Sequence, residues 1–171
     1  MLRTIRLRVV ALIGLIAVTG CGGQDIVRGP VPDENLQRIL ELHIDTLGGS
    51  LTPELIQESG LLVLYADEQD ISDLRGLEHA RHLTRISLDE NRITELTPLA
   101  GLVDLVYLSA EENAIGSVAA LSNLTQIQNL DLFDNSVVDL SPLAQLTQMR
   151  FLSLDSNKIR DISALANFAD L

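Results

Sequence analysis

The 171-residue chain has one cysteine, no tryptophan, five aromatic residues and half as many basic residues (12) as acidic ones (24). A single cysteine excludes an internal disulfide framework. The net charge of −12 argues against a nucleic-acid binder, which must set lysine and arginine against phosphates. Histidine is scarce too. His43, His79 and His82 are the only ones, and although His79 and His82 lie three apart, no cysteine or second pair accompanies them as a metal site would need. There is no Gly-rich phosphate loop and no His-Glu-x-x-His, so neither catalysis nor a cofactor is expected. What the chain does have is a hydrophobic fraction of 46%. At this length that builds one core and excludes wholesale disorder.

The longest apolar run is at the start. Arg3, Arg6 and Arg8 precede Val9 to Val18, and the segment closes on Thr19-Gly20-Cys21, the charged region, short apolar region and small-residue cleavage site of a secretory signal. Ten apolar residues are too few for a bilayer span, which needs about 20. Val18-Thr19-Gly20-Cys21 resembles a bacterial lipobox. The resemblance implies that Cys21 carries diacylglycerol and that residues 1–20 are removed. Gly22, not Asp, follows the cysteine, which implies the outer membrane in a Gram-negative cell and the outer face of the plasma membrane otherwise. Removing residues 1–20 takes away three arginines and no acid, leaving 9 basic against 24 acidic residues and a charge of −15. Residues 21–32 read as the lipidated cysteine and a Gly/Pro-punctuated tether with little to bury.

From residue 61 onward the chain repeats every 22 residues, over 61–82, 83–104, 105–126, 127–148 and 149–170. The second copy reads Leu83-x-x-Ile86-x-Leu88-x-x-Asn91-x-Ile93-x-x-Leu96-x-x-Leu99-x-x-Leu102. Asn113, Asn135 and Asn157 recur at the ninth position, where the first copy has Gln69. This pattern resembles the leucine-rich repeat, and the 22-residue length with Glu95-Leu-Thr-Pro-Leu99 and Asp139-Leu-Ser-Pro-Leu143 resembles its internalin-type bacterial form. The resemblance implies an α/β repeat solenoid: a right-handed superhelix with parallel strands on the concave face, 3₁₀ or helical returns on the convex face, and a helical N-terminal cap. Within each rung the aliphatic positions point inward, because no rung can bury its face without a neighbour. The asparagine amides of Asn91, Asn113, Asn135 and Asn157 are expected to bond backbone groups of their own and adjacent rungs.

Residues 33–60 are expected to cap the array. Asp33 to Leu47 places apolar residues at helical spacing with Gly48-Gly49 as a stop, and Thr52, Pro53 and Gly60 mark a second short helix. At the other end Leu171 is the first position of a sixth rung with no polar cap after it, which suggests a partial gene product.

Strand alternation names the outward residues as positions 3, 5 and 7 of each copy. Tyr65, Tyr107, Phe133 and Phe151, four of the five aromatics, fall there with Arg85 and Asp131. Acids occupy position 7 (Asp67, Asp89, Glu111, Asp155) and position 8 (Glu68, Glu90, Glu112, Asp134), a double stripe of eight carboxylates. The face is therefore expected to bind a protein or peptide, one with basic character if the acids take part. Two alternatives remain at this point: a longer repeat array with its binding surface elsewhere, and a cation-binding module, although a flat ladder of acids suits the converging oxygens of calcium poorly.

Overall fold

The structure, a computed structural model, describes residues 30–44, 46, 50–166, 168 and 171. The signal, Cys21 and the Gly48-Gly49 stop lie outside the described residues. Two helices, α1 (Glu34–His43) and α2 (Pro53–Glu58), precede five three-residue strands. The strands are β1 (Val63–Tyr65), β2 (Arg85–Ser87), β3 (Tyr107–Ser109), β4 (Asn129–Asp131) and β5 (Phe151–Ser153). Each is followed by a 3₁₀ turn, the first at Leu77–His79 and the last at Ser163–Leu165. Prolines 98 and 142 sit in the first positions of two of these turns, where a missing N–H is no loss.

All five strands are parallel and pair in chain order with an offset of one repeat, so that Leu64, Ile86, Leu108, Leu130 and Leu152 form one row. The row lies on the inner side. Leu64, Ile86, Leu108 and Leu130 are fully buried, as are Leu99, Leu121 and Leu143 on the return side. Burying each such side chain contributes roughly 1.5–3 kcal/mol, and in this fold the burial comes from the next rung.

The asparagines tie the rungs together. Asn135 Oδ1 accepts from Ile115 N of the preceding rung at 2.9 Å, while its Nδ2 donates to Ala110 O at 2.8 Å and to Leu132 O and Phe133 O of its own turn. Asn91, Asn113 and Asn157 accept in the same way from Ile71, Ile93 and Val137 N. Gln69, in the first rung, instead donates to Asp67 O and accepts from Arg38 Nη2 of α1.

Besides Arg38 to Gln69 and Asn35 Nδ2 to Asp70 O, the cap is fastened at two points. Asp33 is the N-cap of α1, with Oδ1 accepting from Asn35 and Leu36 N, and its other oxygen accepts from Ser72 N at 2.8 Å and Asp73 N at 3.2 Å. One carboxylate thus starts the helix and holds it to the first repeat. Burial pushes its pKa up, but the backbone donors Ser72, Leu36, Asp73 and Asn35 outweigh this and hold it below the usual 3.8. The second point corrects the expected tether. Val31, counted there among residues with little to bury, is only 2% exposed and belongs to the core. It packs on Gly76, whose φ is +106° and where an added Cβ would lie 2.6 Å from Val31 Cγ2. Helix α1 also stops earlier than the spacing suggested. It ends at His43, with Ile44 in extended geometry and its N–H donated to Leu40 O. Among the described residues no helix is long and apolar enough to cross a membrane.

Two outcomes are expected. Asn135→Ala strands the buried Ile115 N–H and Ala110 carbonyl, and on the order of 3 kcal/mol should be lost in urea denaturation. Asp33→Ala should lose about 1–2 kcal/mol near neutral pH. Because the folded pKa is lowered, the stabilisation is present above 3.8 and fades as the pH falls through the lower folded value. Melting curves of the two proteins should therefore converge in acid.

Candidate protein-binding face

The outer side of the sheet is the candidate site, and its chemistry follows from which groups the backbone ladder already uses. Parallel pairing runs from the N–H of position 6 to the carbonyl of position 5 in the next rung, as in Ala66 N to Ser87 O and Leu88 N to Ser109 O. It resumes from position 8 to position 7, as in Glu68 N to Asp89 O and Glu90 N to Glu111 O. The carbonyl of position 6 is taken by the next rung's asparagine, which leaves the position 7 N–H without its usual acceptor. Asp67 supplies one. Its Oδ1 accepts from Asp89 N at 3.0 Å, and Asp89 Oδ1 accepts from Glu111 N at 2.8 Å and Ser109 Oγ at 2.6 Å. Ser87 Oγ lies 3.4 Å from the other oxygen of Asp89.

So Asp67 and Asp89, which sequence reasoning placed in a stripe available to a partner, brace the sheet. The signal was present in the aspartates and in the serines at position 5, Ser87 and Ser109, both buried. The relay stops at Glu111. Phe133 N is satisfied within its own rung by Asp131 Oδ1 at 3.0 Å, and Phe133 has no acceptor to offer Asp155. Glu111 is left against Asp131, and its pKa is raised, first by burial and then by the Asp131 carboxylate, its hydrogen bond to Asp131, and Asp89 and Glu112.

The outer row of acids has a different constraint. Glu68, Glu90, Glu112 and Asp134 share with Ser156 the left-handed turn position, with φ between 47° and 58°. A non-glycine residue there costs about 1 kcal/mol or more, and all five side chains are exposed. Glu90 is in the middle of the row. Its pKa is raised above 4.5 chiefly by Glu68, with Glu112, Asp89 and Asp67 adding to it.

The aromatics and Arg85 occupy the rest of the face. Tyr65 and Phe151 are 57% and 47% exposed, and Tyr107 and Phe133 are half-buried. Arg85 lays its guanidinium 4.2 Å from the centroid of the Tyr107 ring, a cation–π contact between neighbouring rungs. Asp155 is exposed at the far edge. Away from this face, His79 Nε2 lies 3.7 Å from Glu78 Oε1, beside a shallow convex groove that His82 also lines. Among the described residues no three His, Cys, Asp or Glu side chains converge as a metal site.

Stacked parallel strands joined by 3₁₀ returns, with an asparagine ladder behind them, define a leucine-rich-repeat solenoid. A family profile described as leucine-rich repeats in two copies matches residues 125–167. Among solved structures the chain is similar to an internalin, InlF, from Listeria monocytogenes, with 29% identity and a TM-score of 0.76 over 87% of this chain and 45% of that one. It shares the fold of the functional domain of InlJ from the same organism, with 22% identity and a TM-score of 0.67 over 80% of this chain and 30% of that one. The InlJ domain is described as including a cysteine ladder, whereas here asparagine stands in the ladder and the one cysteine is at position 21. The chain spans less than half the length of either structure. No curated sequence matches it.

Neutralising Glu90 tests the crowding of the outer row. Its raised pKa means that repulsion destabilises the fold above the folded value and is relieved as pH falls through it. Glu90→Gln should therefore melt higher than the parent at pH 7 in low salt. The gap should close below pH 4.5, and added salt should narrow it at neutral pH.

Proposed function

We propose that the chain is a bacterial envelope lipoprotein, anchored through Cys21, that binds another protein or a peptide on the outer face of its sheet. The observation that carries this reading is the placement of four of five aromatics on one side of a parallel sheet whose other side is filled with leucine. Exposed aromatic area is unfavourable in water and typical of interface anchors. Tyr107, Phe133 and Phe151 form the apolar part of the surface, Tyr65 and Arg85 extend it toward the cap, and Glu111, Asp131 and the outer acids favour a partner with basic groups. Asp67 and Asp89 hold the backbone beneath them, and Asp155 closes the row. The anchor rests on the lipobox-like Val18–Cys21, where the chain's only cysteine stands at the position lipidation requires. Two or three acyl chains hold a protein firmly at a membrane.

A second reading, a longer array with its principal contact elsewhere, is favoured by the similar internalin, of which this chain covers 45%. In-frame 22-residue repeats downstream in the DNA would support it.

Capture from the host's envelope tests the first reading. Replacing Tyr107, Phe133 and Phe151 together with alanine should abolish capture and leave the circular dichroism unchanged, and undiminished capture would refute the site. Amides at Glu90, Glu111 and Glu112 should weaken capture and flatten its salt dependence. Radioactive palmitate should label the parent and not Cys21→Ser.

A further inference from the structure

The two margins of the outer strand face differ in charge. Positions 2 and 3 of the five rungs, on one margin, hold Arg85 and Arg150 and no acid, whereas positions 7 and 8, on the other, hold eight acids and no base. Position 3 is four residues from position 7, roughly 13 Å at the rise of a strand. That exceeds the Debye length of about 8 Å at physiological salt, so an anion at the first margin is largely screened from the acids of the second.

Arg85 is the arginine that the fold prepares. Register sets it between Val63 and Tyr107 in the position 3 row, its side chain is exposed, and its guanidinium rests 4.2 Å from the centroid of the Tyr107 ring. A guanidinium that leans on a ring face keeps its in-plane N–H donors for another acceptor, and the contact steadies the fork before a ligand arrives. The acids of the two nearest rungs are committed elsewhere, because Asp67 and Asp89 accept from backbone N–H groups of the next rung. Among the described residues Arg85 forms no salt bridge, whereas Arg75 and Arg92 each hold an aspartate. Beside Arg85 and Tyr107 the position 5 row consists of Ser87 and Ser109, both buried. The surface therefore drops between Tyr65 and Asp131, their neighbours in that row, and leaves room for a partner's side chain.

We propose that Arg85, steadied by Tyr107, anchors a carboxylate of the bound peptide. The peptide lies across the strands, with that carboxylate at the position 3 margin and its basic groups at the margin of Glu90 and Glu112. A planar fork suits a carboxylate through two parallel hydrogen bonds, and an Asp or Glu side chain or a free C-terminus offers the same group. The anchor rests on the binding face proposed above and adds a requirement to it: an acidic surface alone would select basic residues, and here a carboxylate is selected as well.

Random peptides displayed with a free C-terminus, and a second set with the C-terminus joined to its carrier, are panned on the purified protein. Each selected peptide is then titrated by fluorescence polarisation, with its carboxylate intact and as the amide, against the parent, Arg85→Gln, Arg85→Lys and Phe151→Ala. The amide is expected to bind the parent about tenfold or more weakly. Arg85→Gln should bind acid and amide alike, and Arg85→Lys, which keeps the charge without the fork, should recover part of the difference. Within that result, binders from the free C-terminal set alone assign the anchor to a terminal carboxylate, and binders from both sets assign it to Asp or Glu. Selected peptides that lack a carboxylate, or that lose as much on amidation against Arg85→Gln as against the parent, would overturn the anchor, and weaker binding to Phe151→Ala would then leave the face standing. Acid selectivity that depends on Arg85 but not on Phe151 would keep the anchor and refute the aromatic part of the face. Peptides indifferent to both substitutions, or a panning that yields none, would overturn anchor and face together.

Discussion

No rung of this molecule can cover its own leucines. Ile86 is buried because Leu108 lies over it, Leu108 because Leu130 does, and the chain of dependence can be followed to where it weakens. Leu140, at the fourteenth position of its rung, is 1% exposed, while Ile162, its counterpart one rung later, is 68% exposed. Burial of the core is therefore a property of neighbours, and the helices at the other end serve it directly. Helix α1 and Val31 lie where a preceding rung would, and Asp33 fastens them to the first return with the carboxylate that also starts the helix.

The same dependence governs the polar groups. Placing an asparagine behind each strand after the first satisfies the turns, but it takes the position 6 carbonyl of the preceding rung from the sheet and leaves the position 7 N–H of its own rung looking for an acceptor. Asp67 and Asp89 answer that need. A carboxylate on the outer face can thus be engaged by the backbone of the next rung. Beyond the end of the relay Glu111 lies against Asp131, on the same face as Tyr107 and Phe151.

Much of the fold was legible because its period is a covalent property of the chain. Twenty-two residues separate equivalent atoms, so a strand found once is found five times, and alternation within it says which side chains face out. Alternation does not say which backbone group an outward carboxylate leans on, so the bracing role of Asp67 and Asp89 was hidden in a stripe that looked uniform. Nor does it report backbone conformation. Glu68, Glu90, Glu112 and Asp134 stand at a left-handed turn position that glycine would fill at no steric cost, and nothing in glutamate announces that. Val31 was missed for a different reason. A lone aliphatic between two prolines has no periodicity, and only the glycine at position 76, far along the chain, makes room for it.

That the outer strand face is the surface by which the protein works can be examined in living cells with a photo-reactive amino acid placed at single positions. Phe133 and Phe151 sample the face, while Thr147 and Val103 sample the convex side. Illumination is expected to give one discrete adduct from each of the two strand positions and none from the convex positions. Adducts from Thr147 or Val103 with none from Phe133 and Phe151 would contradict the assignment and move the working surface to the opposite side of the solenoid.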